Sequence, residues 1–183
     1  VAIARLYEGL RDWTAVKNAA AEQAIIPFRK NSSVTRAVRE IAIRLEVLRP
    51  NEMEVLAHGE YHDQLAVLWL ALCRCYRFIG EFAVELVSER FLSFRTHLTY
   101  DDFDAFYASK AEWEPDLERI SVSTRQKLRQ VLFRLMREAG VLGKDDHICR
   151  TLLTPAFIDL ISAADPKEIR FFPGAELAGH RGG

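Results

Sequence analysis

Two stretches of this sequence gather hydroxyls and arginines where a helix would begin. Ser123, Thr124, Arg125, Lys127 and Arg129 form one set; Arg29, Lys30, Ser33, Thr35, Arg36 and Arg39 form the other. The first N–H groups of a helix lack partners within it, and hydroxyls and cations beside them complete a phosphate-binding set. Arginine suits that chemistry because its planar fork pairs phosphate or carboxylate through two hydrogen bonds. The pattern admits three readings: phosphate contact with DNA or RNA, pairing with acidic segments of the same chain, and contact with a protein partner.

Other reactive types are sparse. His58 and His62 are four apart, the spacing of paired metal ligands on a helix, but no third ligand accompanies them. Cys73 and Cys75 lie two apart, so on a helix they point in different directions; they are read as core thiols. Three cysteines, the third being Cys149, do not make a disulfide framework. Asp101, Asp102 and Asp104 are explained by helix-dipole complementation and solubility, and Asp145-Asp146-His147 reads as a turn. There is no phosphate loop, no dinucleotide turn and no nucleophile beside a base. No independent enzymatic activity, metal, cofactor or small-molecule substrate is expected.

Composition is that of a folded chain: 183 residues, 49% hydrophobic and 28% charged. The net charge of −1 conceals strong local imbalance. Residues 29–49 carry net +4, 50–63 net −4, 96–118 net −6 and 119–142 net +5. Such alternation can build opposed surface fields. The basic set is lopsided, with 19 Arg against 6 Lys.

The elements that must position these residues are helical. Helices are expected over 1–12, 13–25, 34–48, 51–57 and 61–79, the last the most apolar. A bend is expected at Gly80 before helical register resumes over 81–94. Thr99 is placed to cap a helix to Ala111, and Pro115 lies in an acidic connector. Ser121-Val122-Ser123-Thr124 caps a helix over 124–139, with Leu128, Val131, Leu132 and Leu135 as its apolar face. Residues 148–152 read as a short strand, Thr154-Pro155 starts a further helix, and a short helix follows at 166–170. The predicted fold is mainly α, a compact helical bundle with at most a short β-hairpin. Residues 123–161 have the outline of a winged-helix fragment. The expected organisation is a helical part over 1–95, a second part over 96–173 packed on it, and a frayed tail over 174–183.

The longest strongly apolar run, Leu65 to Cys73, is nine residues, against roughly 20 for a spanning helix. Arg5, Glu8, Arg11 and Asp12 interrupt any apolar run near the start, so no signal peptide is expected. A cytoplasmic protein without membrane contact follows as the expectation, although a chain beginning with Val leaves room for an earlier segment.

Four stretches carry a family resemblance: RKNSSVTRAVREIAIRLEVL at 29–48, Gly80-Glu81-Phe82, DDFDAF at 101–106, and STRQKLRQVLFRLMREAGVL at 123–142. Together they resemble the BrxA family of bacteriophage-exclusion (BREX) defence systems over about residues 5–172. The resemblance implies a small helical protein, NusB-like in part, encoded beside a methyltransferase and a large ATPase and associated with double-stranded DNA. The family has also been described as an inner-membrane protein, which the short apolar run argues against. No family motif assigns individual DNA-contacting residues, so the eleven named above rest on charge and capping. Three functions follow as expectations: a DNA-binding accessory component of phage defence, a helical adaptor docking the methyltransferase or ATPase, and an RNA-binding factor.

Overall fold

The computed structural model describes residues 1–23, 25 and 31–175, with the side chains of Asn31 and Ser32 outside that set. The chain divides into two compact units, Val1–Cys75 and the segment from Tyr76 onward. The break therefore falls within the helix expected over 61–79, not at residue 95. Its local cause is Tyr76, whose backbone is extended (φ −120°, ψ 100°) and whose carbonyl accepts the first hydrogen bonds of the next helix, from Ile79 and Gly80.

The first unit holds α1 (Ala2–Leu10), α2 (Trp13–Glu22), α3 (Asn31–Leu45), α4 (Pro50–His58) and α5 (Tyr61–Cys75). Asp12 caps α2 by accepting from the Ala15 N–H at 2.6 Å, and Pro50 opens α4 at its first turn, where its missing N–H costs nothing. Val34, Val38, Ala42 and Leu45 bury one stripe of α3, and Leu56, Val67, Trp69 and Leu70 join the core. Apolar residues at helical spacing bury together because that removes one face from water.

Two charged residues of this unit, Glu52 and Asp63, are buried. Glu52 is 0% exposed and accepts from Arg74 Nη1 and Nη2 at 2.6 and 2.8 Å and from the Arg49 N–H at 2.8 Å. Arg74 also donates to the Val47 carbonyl. Burial opposes the Glu52 charge, but the hydrogen bonds from Arg74 and Arg49 and the charges of both outweigh it, and its pKa is lowered. The pair ties α4, α5 and the α3–α4 connection together.

The second unit runs α6 (Arg77–Glu81), a π-helical stretch (Phe82–Ser88), α7 (Glu89–Leu92), α8 (Tyr100–Ala111), α9 (Pro115–Glu118), α10 (Val122–Glu138), α11 (Pro155–Ala164) and a 3₁₀ turn (Pro166–Phe171). Gly80 is buried inside continuous helix, so the expected bend is replaced by a change of winding. That winding buries Phe82, Ala83, Val87 and Ser88. The Ser88 hydroxyl donates to the Arg170 carbonyl at 2.7 Å, joining the π-helical stretch to the 3₁₀ turn. Phe78, Phe82, Phe103, Phe106 and Tyr107 form an aromatic cluster with ring centroids 5.3–6.3 Å apart.

Caps set the helix starts. Thr99 and Asp102 form a reciprocal capping box at α8, Thr154 caps α11, and Ser121 caps α10. The expected strand over 148–152 is reduced to two isolated bridges among the described residues, His97 with His147 and Leu142 with Ile148. No sheet forms there, so the winged-helix outline lacks its hairpin. Gly174 and Ala175 are buried, which carries packed chain past the expected start of the tail; residues 176–183 lie outside the described set. No helix among the described residues is long and apolar enough to cross a membrane.

Candidate nucleic-acid interface

On α10 the arginines expected to meet phosphate face a carboxylate. Arg129 Nη1 hydrogen-bonds Asp104 Oδ2, and its guanidinium lies 4.3 Å from the Tyr100 ring centroid. Arg125 Nε sits 3.8 Å from the other oxygen of Asp104, with its guanidinium 5.5 Å from the Tyr107 ring. One carboxylate thus serves two guanidiniums, and each stacks over a tyrosine. Burial raises the pKa of Tyr107, the Arg125 charge working against it, and the Tyr107 hydroxyl donates to the Leu117 carbonyl at 2.7 Å.

The helix phase explains the inward turn. The most buried side chains of α10 are Leu132, Phe133 and Met136. They continue the i, i+4, i+7 series that starts at Arg125 and Arg129, so both arginines stand on the core-facing stripe. The expected apolar face is displaced: Leu128 is exposed and Val131 and Leu135 are half-buried. Phe133 lies edge-on to Tyr100 with centroids 4.8 Å apart, which sets α8 against α10.

The rest of this block is mixed. Lys127 is exposed and makes no ion pair among the described residues. Ser121 Oγ accepts from the Thr124 N–H at 3.3 Å and lies within hydrogen-bond reach of the hydroxyls of Ser123 and Thr124. The hydroxyl-rich start is present, with the helix beginning at Val122, two residues before the expected Thr124, and Ser121 as its cap. Arg137 pairs with Asp146, and Arg134 stands 3.7 Å from Glu138.

The block on α3 behaves differently. Helix starts at Asn31, so Ser33 and Thr35 lie within it and are exposed with Arg36 and Arg39. Thr35, Arg36, Arg39 and Ile43 fall within about 100° of the helical wheel, and Ile43 is also exposed. Arg36 and Arg39 make no ion pair among the described residues. Arg29 and Lys30 lie outside those residues. The two blocks belong to different units, α3 to the first and α10 to the second.

The acidic and histidine candidates resolve into structural contacts. Asp102 completes the α8 capping box and bonds Arg90. His58 Nε2 meets Glu8 at 2.7 Å, which joins α4 to α1. Cys73 is buried, and the Cys75 thiol is 4.0 Å from the Ile43 carbonyl. No group of three or more His, Cys, Asp or Glu side chains converges among the described residues.

At Asp104 the α10 block follows the reading of pairing with an acidic segment of the same chain; the part of Tyr100 and Tyr107 was not read from the sequence, yet it has a signal. Tyr100, Asp104 and Tyr107 have the i, i+4, i+7 spacing of one helix face, and Arg125 and Arg129 have the i, i+4 spacing of another.

These features define a mainly helical protein whose arginine-rich helices are partly spent on internal pairing. A solved structure of an uncharacterized protein from Magnetospirillum magneticum shares this fold, with a TM-score of 0.70 over 93% of this chain and 90% of that one at 17% identity. The BrxA family model matches residues 1–165, and the chain belongs to the BrxA family. A relative from Bacillus cereus (strain H3081.97), the BREX protein BrxA, is 26% identical over 137 residues, spanning 75% of this chain and 68% of that protein.

Proposed function

We propose that this chain is a non-enzymatic, cytoplasmic, DNA-binding accessory component of a BREX phage-defence system. The BREX designation of the Bacillus cereus relative supports the setting. The observation that carries the DNA reading is the pair Arg36 and Arg39, exposed side by side on α3 with no counter-ion among the described residues. A helix face with two exposed guanidiniums that make no ion pair among the described residues suits phosphate contact, which positions a protein on a duplex without reading sequence. Lys127 and the hydroxyls of Ser123 and Thr124 offer a second set of the same chemistry. Each phosphate neutralised releases about 0.9 counterion, so affinity falls steeply with salt. A gel-shift titration of duplex DNA from low to physiological salt tests the reading; no shift at low salt removes it. Competition with RNA of equal length separates duplex DNA from the NusB-like RNA reading.

A second reading has its own observation. An apolar cleft of about 210 Å³ opens between α6, α8 and α10, lined by Phe78, Ile79, Leu117, Leu128, Val131 and Leu135 among others. A helical adaptor could use it to dock another BREX protein, such as the methyltransferase or the ATPase. That reading predicts co-purification that survives nuclease treatment.

A further inference from the structure

The C-terminal end of α7 carries an unusual residue. Ser93 ends the helix, the Phe94 N–H bonds the Phe91 carbonyl at 3.1 Å, and the Arg95 N–H bonds the Arg90 carbonyl at 2.9 Å. This is the hydrogen-bond pattern of a helix closed by a left-handed residue, a position usually filled by glycine. Here it is filled by phenylalanine at φ +59°, a bulky side chain in a region it rarely occupies. The ring gains no burial in return, for Phe94 is 93% exposed.

The exposed ring borders an open, shallow groove. An open cleft of about 540 Å³ is lined by Phe94, Arg95, Thr96, His97 and His147, with Arg90, Thr99 and Asp102 behind them. Its walls are tied together. The Ile148 N–H donates to the Thr96 carbonyl at 2.7 Å, the Leu98 N–H to the Asp146 carbonyl at 2.9 Å, and Arg90 to the His97 carbonyl at 2.8 Å. The His97 and His147 rings meet edge-on with centroids 5.1 Å apart.

Charge in the groove is unevenly committed. Asp102 is engaged by Arg90 and by the N–H and hydroxyl of Thr99. Outside the lining, Asp145 stands 3.3 Å from Nδ1 of the groove's His147. Arg95 is exposed, and among the described residues its side chain bonds only the Ser93 hydroxyl, at 3.3 Å. The groove therefore offers a bare phenyl face, a guanidinium with no ion pair among the described residues, a hydroxyl and imidazole edges. A flat aromatic heterocycle joined to an anion matches this set: stacking on an aromatic side chain accepts any base, and a nearby cation takes the phosphate.

From this geometry we infer that the Phe94 groove holds an unpaired nucleobase against the phenyl ring, with the adjoining phosphate on Arg95. The inference rests on the nucleic-acid reading above and adds a preference to it: DNA with a displaced or unpaired base over the continuous duplex.

The test uses the full chain and two labelled duplexes that differ at one bulged nucleotide, which carries its base in one and is abasic in the other. Wild type is expected to bind the base-bearing bulge about tenfold more tightly. Phe94→Gly should equalise the two probes, with a melting temperature unchanged or raised because glycine suits the left-handed position. Phe94→Trp should restore the difference. Equal binding of both probes by wild type, or an undiminished difference in Phe94→Gly, overturns the stacking site while leaving duplex binding standing. Failure of wild type to bind either probe at low salt removes both readings.

Discussion

Arg129 hydrogen-bonds Asp104 across α8 and α10, and the same carboxylate lies within 3.8 Å of Arg125. Two cations on one anion leave a net positive charge at a site only partly open to solvent, the Asp104 side chain being 33% exposed and that of Arg129 16%. The arrangement joins α8 to α10 and holds both arginines on the core-facing stripe.

Releasing those arginines should separate the two roles. Asp104→Asn is expected to lower stability by about 1–2 kcal/mol, the modest end for charged hydrogen bonds because the site is partly exposed. It should also tighten duplex binding at low salt, since a carboxylate charge is gone and both guanidiniums are free. Thermal melting and gel shift measure the two effects. Lost stability with unchanged affinity assigns Arg125 and Arg129 to packing alone.

Charge reversal on the two helices should give opposite phenotypes. Arg36→Glu with Arg39→Glu changes exposed residues and is expected to abolish the DNA shift while moving stability by only about 0.5 kcal/mol per site. Arg125→Glu with Arg129→Glu places three carboxylates together beside Tyr100 and Tyr107 and should lower the melting temperature sharply. A lost shift only in the α10 variant, with folding intact, would move the DNA surface to the second unit.

Acid should weaken the first unit through Glu52. Its folded pKa lies below the ordinary value of 4.5, so the stability it contributes is complete above pH 4.5 and is lost as pH falls through the lower folded value. Arg74→Met removes the partner of a buried charge and is expected to cost about 3–5 kcal/mol at neutral pH. In that variant burial acts without the Arg74 pairing, so the loss on acidification should shrink. Urea titrations at neutral and acidic pH, followed by tryptophan fluorescence, read both effects. A variant with unchanged acid sensitivity would show that Glu52 is not the group responsible.

Two glycines should respond unequally to a methyl group. Gly140 has φ +74° and nothing within 4 Å of an added Cβ, so Gly140→Ala is expected to cost about 1–2 kcal/mol from backbone strain alone. Gly174 has φ +72°, and a Cβ there would come within 2.6 Å of the Phe91 ring. Gly174→Ala should therefore cost more than Gly140→Ala in chemical denaturation. Equal losses would mean that the Phe91 ring moves aside freely.

The linear chain makes its local devices plain. Thr99 and Thr154 read as helix starts because a cap acts within three residues, and each caps as its neighbours require. The helical class is equally legible, since it depends on apolar spacing that repeats along each segment. The four charge blocks can be counted, and the α3 arginines stand exposed as their phase requires. Placement of the opposite block was beyond such reading. Arg125 and Arg129 look like a surface pair until Asp104, more than twenty residues earlier, is brought against them; a solvated fork and a paired one have the same local sequence. The same holds for Tyr76, which breaks the helix expected over 61–79 with no proline or glycine at the break, and for Phe94, held left-handed by a helix end instead of by its own preference. Capping and periodicity are settled among near neighbours. Ion pairing, a change of winding and backbone strain depend on which distant side chains compete for the same space, and packing alone resolves that competition.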